Sequence, residues 1–205
     1  MTGALLDDTL QWWPQIRVEK WEEATLREQQ HEFALTQEPN SYTLDYLKRK
    51  YGAEPTRVLE AEGNSLCNNG RTRVCDLIIG NGTPKQLNAT YGGTGVGDSS
   101  TANGSPNTFT TLQAATNLLY KPVDSSPAPA DASAGVITAQ TTYQTGDANF
   151  AWNEWCLTIA NGTPTSSSNF NTATATGIML NRAVQSLGTK VSTAVWILQV
   201  TVTLT

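Results

Sequence analysis

The sequence offers few residues that could do chemistry. Its one histidine, His31, sits among Gln29, Gln30 and Glu32. Nucleophilic catalysis would need that imidazole beside a nucleophile, with an acid to orient it; these neighbours read instead as a solvated helix face. The cysteines, Cys67, Cys75 and Cys156, are odd in number, which argues against a disulfide framework. None belongs to a C-x-x-C pair, and Cys67 and Cys75 lack the further ligands that zinc requires. They read as buried small hydrophobes in a reducing compartment. The run Gly92-Gly93-Thr94-Gly95-Val96-Gly97-Asp98-Ser99-Ser100 invites a phosphate-loop reading but lacks the G-K-[ST] ending that places a lysine on the phosphates. Asp98, Ser99 and Ser100 fit a turn held by side-chain to backbone hydrogen bonds. Asp98, Asp147 and Glu154 are too scattered to argue for a carboxylate pair or a calcium site. Glu154 stands between Trp152 and Trp155; if buried, it needs a partner such as Arg182 or Lys190, and a structural ion pair is the expected arrangement. The chain is therefore expected to be non-enzymatic, with no catalytic residues, no metal and no cofactor.

The elements that must position these residues divide along the chain. Residues 1–80 carry 9 Lys/Arg and 13 Asp/Glu; residues 81–205 carry only 4 and 5. The later part keeps its solubility through Ser, Thr, Asn and Gly, a composition that suits strands and also suits packing against copies or neighbours, since interface cores are poor in charge. With a net charge of -5 there is no basic surplus to neutralise phosphates, so a nucleic-acid partner is not expected. No apolar run approaches the roughly 18 residues needed to span a bilayer, and residues 1–10 do not read as a secretory leader. Neither a membrane nor export is expected, and the chain is expected to fold in a cytoplasm.

In the charged part, Trp12-Trp13-Pro14 is extended because a residue before proline avoids the helical region. Adjacent aromatics in such a segment point to opposite faces, so one can meet a partner; alternatively both pack on the next helix. Residues 18–36 are predicted helical, with a thin stripe of Trp21, Leu26, Phe33 and Ala34. A second helix over 43–51 stops at Gly52. Lys48, Arg49 and Lys50 in it form a basic run, read as a solvated face. Residues 56–61 fit a strand. A third helix over 64–79, capped by Asn64 or Ser65, turns Leu66, Val74, Leu77 and Ile78 to the core and ends at Gly80.

After Gly80 the apolar period becomes two. In 195–204, Trp196, Leu198, Val200, Val202 and Leu204 alternate with Ile197, Gln199, Thr201 and Thr203. Strands are also predicted at 136–143 and 150–159, the latter changing face through a bulge near Asn153 and Glu154. Shorter ones fall at 90–97, 117–122 and 178–184. Stretches 125–135 and 161–176 read as exposed loops. The fold class is α+β: an extended and helical N-terminal arm over 1–56, then an antiparallel, jelly-roll-like β-sandwich over 57–205 that starts with a helix. Trp152, Trp155, Trp196, Leu198, Val200, Leu77 and Ile78 are the expected core. Trp12, Trp13, Pro14 and Trp21 are the expected partner contacts.

Several strings are similar to a family of virion structural proteins of tailed phages, especially those infecting actinobacteria. They are Glu62-Gly63-Asn64-Ser65-Leu66, Asp76-Leu77-Ile78-Ile79-Gly80, Gly95-Val96-Gly97-Asp98-Ser99-Ser100 and Thr111-Leu112-Gln113-Ala114-Ala115-Thr116-Asn117. Ala148-Asn149-Phe150-Ala151-Trp152-Asn153-Glu154-Trp155 is the strongest, followed by Met179-Leu180-Asn181-Arg182 and Ser186-Leu187-Gly188-Thr189-Lys190. The match covers roughly residues 57–205 and weakens before them. Asn68, Asn69 and Arg71 in the third helix, and the length of 161–176, depart from the pattern. The resemblance implies a virion location and carries over no catalytic or metal residue. The expected role is capsid decoration, or cement, on the outer shell. Its partners would be the major capsid protein and further copies of the chain, with a trimer favoured by analogy with decoration proteins. The alternative is a tail, neck or fibre protein that recognises the host surface.

Overall fold

A computed structural model describes residues 12–22, 41–62, 65–105, 107–133, 135–160 and 177–204. Ten strands and two helices occur among them. The strands are β1 (Trp12–Glu22), β2 (Arg57–Glu62), β3 (Ser65–Leu66), β4 (Gly92–Gly97), β5 (Leu118–Pro122), β6 (Ala130–Ser133), β7 (Val136–Tyr143), β8 (Ala151–Ala160), β9 (Gly177–Thr189) and β10 (Ala194–Leu204). The helices are α1 (Ser41–Tyr51) and α2 (Asn68–Ile79). Two antiparallel sheets form, ordered β2-β1-β10-β7-β6 and β3-β9-β8-β4-β5. They face each other across one apolar layer, the sandwich-like arrangement expected from the period-two patterning.

The inner layer follows from strand alternation. Trp196, Leu198, Val200 and Val202 of β10 and Ile16 and Val18 of β1 point inward from the first sheet. Trp155, Leu157 and Ile159 of β8, with Val96 of β4, meet them from the second. Trp152 lies between Tyr143 and Trp196, with ring centroids 4.7 Å from each and edge-to-face geometry, the arrangement the aromatic quadrupole favours. A hydrogen bond of 2.8 Å joins the hydroxyls of Thr94 and Tyr143 across the layer. The expected bulge exists: between Trp152 and Glu154 the β8–β9 register slips, from Trp152↔Gly188 to Glu154↔Val184. The extra residues belong to β9, and Trp152 and Trp155 of β8 both lie in the inner layer.

The N-terminal helical arm is not seen. Residues 18–22, expected to start a helix, belong to β1, which pairs with β10 along its whole length and with β2 over Gln15–Lys20. The remainder of that predicted helix, including His31, lies outside the described residues. Lys20, Glu22 and their neighbours look helical because charges crowd the segment. Yet Ile16 and Val18 alternate with Arg17 and Glu19, and pairing on both edges outweighs helix propensity. With β1 inside a sheet, residues 12–22 are no appendage, and the boundary drawn at 56 does not separate an arm from a sandwich.

α1 packs Leu44 and Leu47 onto Trp21, Val195 and Ile197, on the outer face of the first sheet. It ends at Gly52, whose φ of 65° lies in the left-handed region and whose N–H donates to Lys48 O. α2 starts later than predicted. Ser65 is in β3, the cap position is Cys67 without a side-chain cap bond, and Cys67 N–H donates instead to Leu180 O at 2.8 Å. The predicted stop holds, with Gly80 at φ 66° and its N–H on Asp76 O. No helix among the described residues is long and apolar enough to cross a membrane.

Candidate functional site

The densest polar cluster is built around Glu154 on β8. Its carboxylate is fully buried and accepts from Arg182 Nε of β9 at 2.6 Å. It also accepts from Gln113 N–H at 2.9 and 3.0 Å and from Ala114 N–H at 2.7 Å. Arg182 is equally buried and donates through Nη1 to Asn103 Oδ1 at 2.6 Å, while Asn103 Nδ2 returns a bond to Arg182 O at 2.7 Å. The guanidinium also lies 5.1 Å from the centre of the Phe109 ring. The expected ion pair is therefore present, and Arg182, not Lys190, is the partner. It pins the 98–117 connection over the outer face of the second sheet, where Cys67, Leu112, Tyr120, Cys156 and Met179 form a second apolar cluster. Two buried thiols here are inert: burial pushes Cys67 up to about 12 and raises Cys156 well above the ordinary thiol range.

The glycine run has a packing explanation in the same place. In β4, Thr94 and Val96 face the inner layer, so Gly95 and Gly97 face outward. A Cβ on Gly97 would come within 2.6 Å of Glu154 Oε1, and one on Gly95 within 2.7 Å of the Tyr120 ring and 2.8 Å of Cys156 Sγ. Glycine at alternate positions lets the pinned connection approach. The predicted turn after it is present, with Thr101 N–H donating to Ser99 Oγ.

Lys190 occupies a separate polar site. It is buried and donates from Nζ to Gln144 O at 2.7 Å and Asn149 Oδ1 at 2.9 Å. Burial lowers its amine to about 8, with Asp147 opposing the shift and Lys121 adding to it. Lys121 pairs with Asp147, which also accepts from Gln144 N–H. These bonds tie the β7–β8 corner to the start of the β9–β10 corner.

The expected partner contacts separate. Trp21 is fully buried in the chain's own core beneath α1, which corrects its placement as a partner contact. Its indole N–H donates to Glu19 Oε2 at 3.3 Å, and Lys48 Nζ reaches the same oxygen at 2.6 Å. Lys48 thus spends its charge within the chain. Pro14 is buried within β1, opposite Val202. Trp12 and Trp13 hold register positions opposite Leu204 and Thr203; their side chains lie outside the described residues. Trp152, Trp155, Trp196, Leu198 and Val200 are buried as expected. Leu77 is only half-buried, and Ile78 is 74% exposed beside Ile79 at 72%. The core placement of Ile78 is corrected, and that of Leu77 weakened, because α2 meets β9 through Gly70: a Cβ there would lie 2.2 Å from Leu180 O. The opposite face of the helix is therefore turned to solvent.

Among the described residues, two surface concavities bear on binding. One, of about 440 Å3, runs over the outer face of the first sheet between Gln15, Arg17, Glu60, Gln199 and Thr201. Arg17 spans it, pairing with Glu60 at 2.7 Å and Glu19 at 3.4 Å. The other, of about 360 Å3, sits at the end of the sandwich and is lined in part by Lys20, Arg57, Thr189 and Trp196. Sequence patterning singled out neither, because each joins strands distant in the chain. Among the described residues no group of His, Cys, Asp and Glu could hold a metal ion. Neither a family model, nor a curated protein, nor a solved structure matches the chain.

Proposed function

We propose that this chain is a non-enzymatic structural protein of a tailed-phage particle, a capsid decoration or cement protein. In this reading a jelly-roll-like sandwich sits on the outer shell and contacts the major capsid protein and sister copies, as a trimer. It needs no cofactor, nucleic acid or membrane. The observation that carries the reading is the pair Ile78 and Ile79, 74% and 72% exposed at the end of α2. Two adjacent large apolar side chains in water favour burial against a partner. They fall within Asp76-Leu77-Ile78-Ile79-Gly80, one of the strings that resemble virion proteins. The buried charges described above are spent on internal bonds, which suits a scaffold. Many weak contacts repeated over a lattice would give strong attachment.

Quantitative mass spectrometry of purified particles, with cryo-electron microscopy to place the chain, tests this. Hundreds of copies per particle support cement; a handful indicates neck or tail; absence from the particle refutes the reading. The double substitution Ile78→Ser/Ile79→Ser should leave the isolated fold intact and lower occupancy. A tail or fibre role is the second reading, favoured by the groove on the first sheet, where Gln15, Gln199 and Thr201 flank the Arg17–Glu60 pair, a polar lining that suits a saccharide. Purified protein that blocks adsorption to host cells would support it.

A further inference from the structure

We propose that the cavity at the end of the sandwich is an oxyanion site, taking a carboxylate or phosphate group between Lys20 and Arg57. Lys20 of β1 and Arg57 of β2 are direct cross-strand partners. Like charges directly opposite on paired strands destabilise each other, and both side chains line the same cavity of about 360 Å3.

Lys20 is held in place. Its Nζ donates to Leu187 O at 2.5 Å and lies 4.0 Å from the centre of the Trp196 ring. The space it fills exists because Gly188 lacks a side chain, since a Cβ there would stand 3.0 Å from Nζ. An ammonium has three donors; one bond and one ring contact leave one direction for the cavity. Arg57 is exposed, and its side chain has no ion pair or hydrogen bond among the described residues. Its guanidinium is the group that best accepts a planar or tetrahedral oxyanion through paired donors. Glu22 also lines the cavity. Two cations and one carboxylate leave a net positive charge, which one bound anion would neutralise. The Lys20 amine is lowered by burial and then by Arg57, a repulsion that an anion between them would relieve. The rim adds a Thr189 side chain and Val191, which is 50% exposed.

This inference is independent of where the chain resides on a particle. The test uses the full, 15N-labelled chain and two probes at constant ionic strength: inorganic phosphate and a hexaglutamate peptide. Saturable shifts of the Gly188 and Thr189 amides and the Trp196 indole N–H are expected with at least one probe. Arg57→Ala should weaken binding at least about tenfold, the loss of one charge-assisted contact, and Arg71→Ala, at an exposed cation elsewhere, should not. Phosphate alone would identify a free anion as the source; tighter binding of the peptide would identify an acidic polypeptide. Shifts that never saturate, that chloride reproduces, or that survive in Arg57→Ala overturn the site. Arg57→Glu supplies a second readout, because it should raise the melting temperature without ligand and abolish any rise caused by phosphate. No change in stability would overturn the like-charge premise.

Discussion

Replacing Arg182 by methionine should be among the costliest single substitutions in the chain. The change keeps the unbranched apolar stem but removes the guanidinium, leaving the Glu154 carboxylate fully buried without its counter-charge. Removing one partner of a buried pair costs about 3–5 kcal/mol. Two backbone N–H groups, from Gln113 and Ala114, still hold the carboxylate, which argues for the lower part of that range. Against this, Asn103 Oδ1 loses its donor and Phe109 its cation, and a partly desolvated cation–π contact adds about 0.5–2 kcal/mol. The expected total is about 4 kcal/mol. In a chain of this size that lowers the melting temperature by roughly 8–16 °C.

Urea unfolding followed by tryptophan fluorescence measures the loss, and the slope should stay unchanged because the surface exposed on unfolding does. A double-mutant cycle separates the pair from its surroundings. Glu154→Gln alone strands the guanidinium, whereas the double variant strands no charge. A coupling energy of about 2 kcal/mol is therefore expected. Hydrogen exchange should localise the damage to the Gln113 and Ala114 amides, with β8 and β9 retaining more protection. A cost below about 1 kcal/mol for Arg182→Met, or additivity of the two variants, would refute the claim that this pair pins the 98–117 connection.

Trp21→Ala should cost about 3–5 kcal/mol in the isolated protein, since the side chain is buried beneath α1; a near-neutral result would restore its reading as a partner contact. Gly97→Ala should cost about 1–3 kcal/mol by overpacking, and Gly97→Ala combined with Glu154→Gln should remain destabilised, because the clash is steric. Lys190 predicts a pH dependence. Its folded value of about 8 lies below the ordinary 10.5, so the unfolded chain binds more protons between these values and stability rises with pH across that window, by at most about 1.4 kcal/mol per pH unit. The cysteines act in the opposite sense. Cys67, at about 12 in the fold against 9.0 unfolded, stays protonated when folded and erodes stability above pH 9. The difference between wild type and Lys190→Met isolates the lysine: it should shift in favour of wild type from pH 8 upward, and a flat difference would contradict the burial.

Much of the β-sandwich was legible because its strands are regular. β7 and β10 alternate cleanly, and the two tryptophans of β8, placed three apart, required a bulge to share one face. The Glu154–Arg182 pair was legible because an acid between tryptophans must find a cation, and few remain after Gly80. What closes over the pair was not. Gln113 and Ala114 contribute backbone N–H groups, which have no side-chain signature, and Asn103 and Phe109 sit in a connection without periodicity. β1 was misread because its charges mask an alternation of only two inner residues, Ile16 and Val18. Ile78 was misread because a helix contacting its sheet through glycine presents an inner face with no apolar side chain to mark it.

The charge boundary near Gly80 records which faces meet water, and it does not divide the fold. On the first sheet, Arg17, Glu19 and Glu60 lie on the outer face of β1 and β2 and join Lys48 of α1 in one ionic network. The outward charges of the second sheet, Glu154 and Arg182, are spent on one buried pair, because the 98–117 connection and α2 cover that face and a covered surface otherwise takes apolar groups and glycine. Coverage does not explain β10 and β7. Their outward positions hold Gln199 and Thr201, which line the groove, with Thr138 and Gln140 beside them, all half-buried and uncharged, and Gln140 donates to the Asp124 carboxylate at the far side. Water would accept charges there as readily as on β1. A strip of amides and hydroxyls without charge on an accessible sheet is the composition expected where another surface packs and desolvation of ions would be costly. The charge poverty of residues 81–205 thus has two physical origins, an internal cover on one sheet and an accessible neutral strip on the other, and only the second bears on partners.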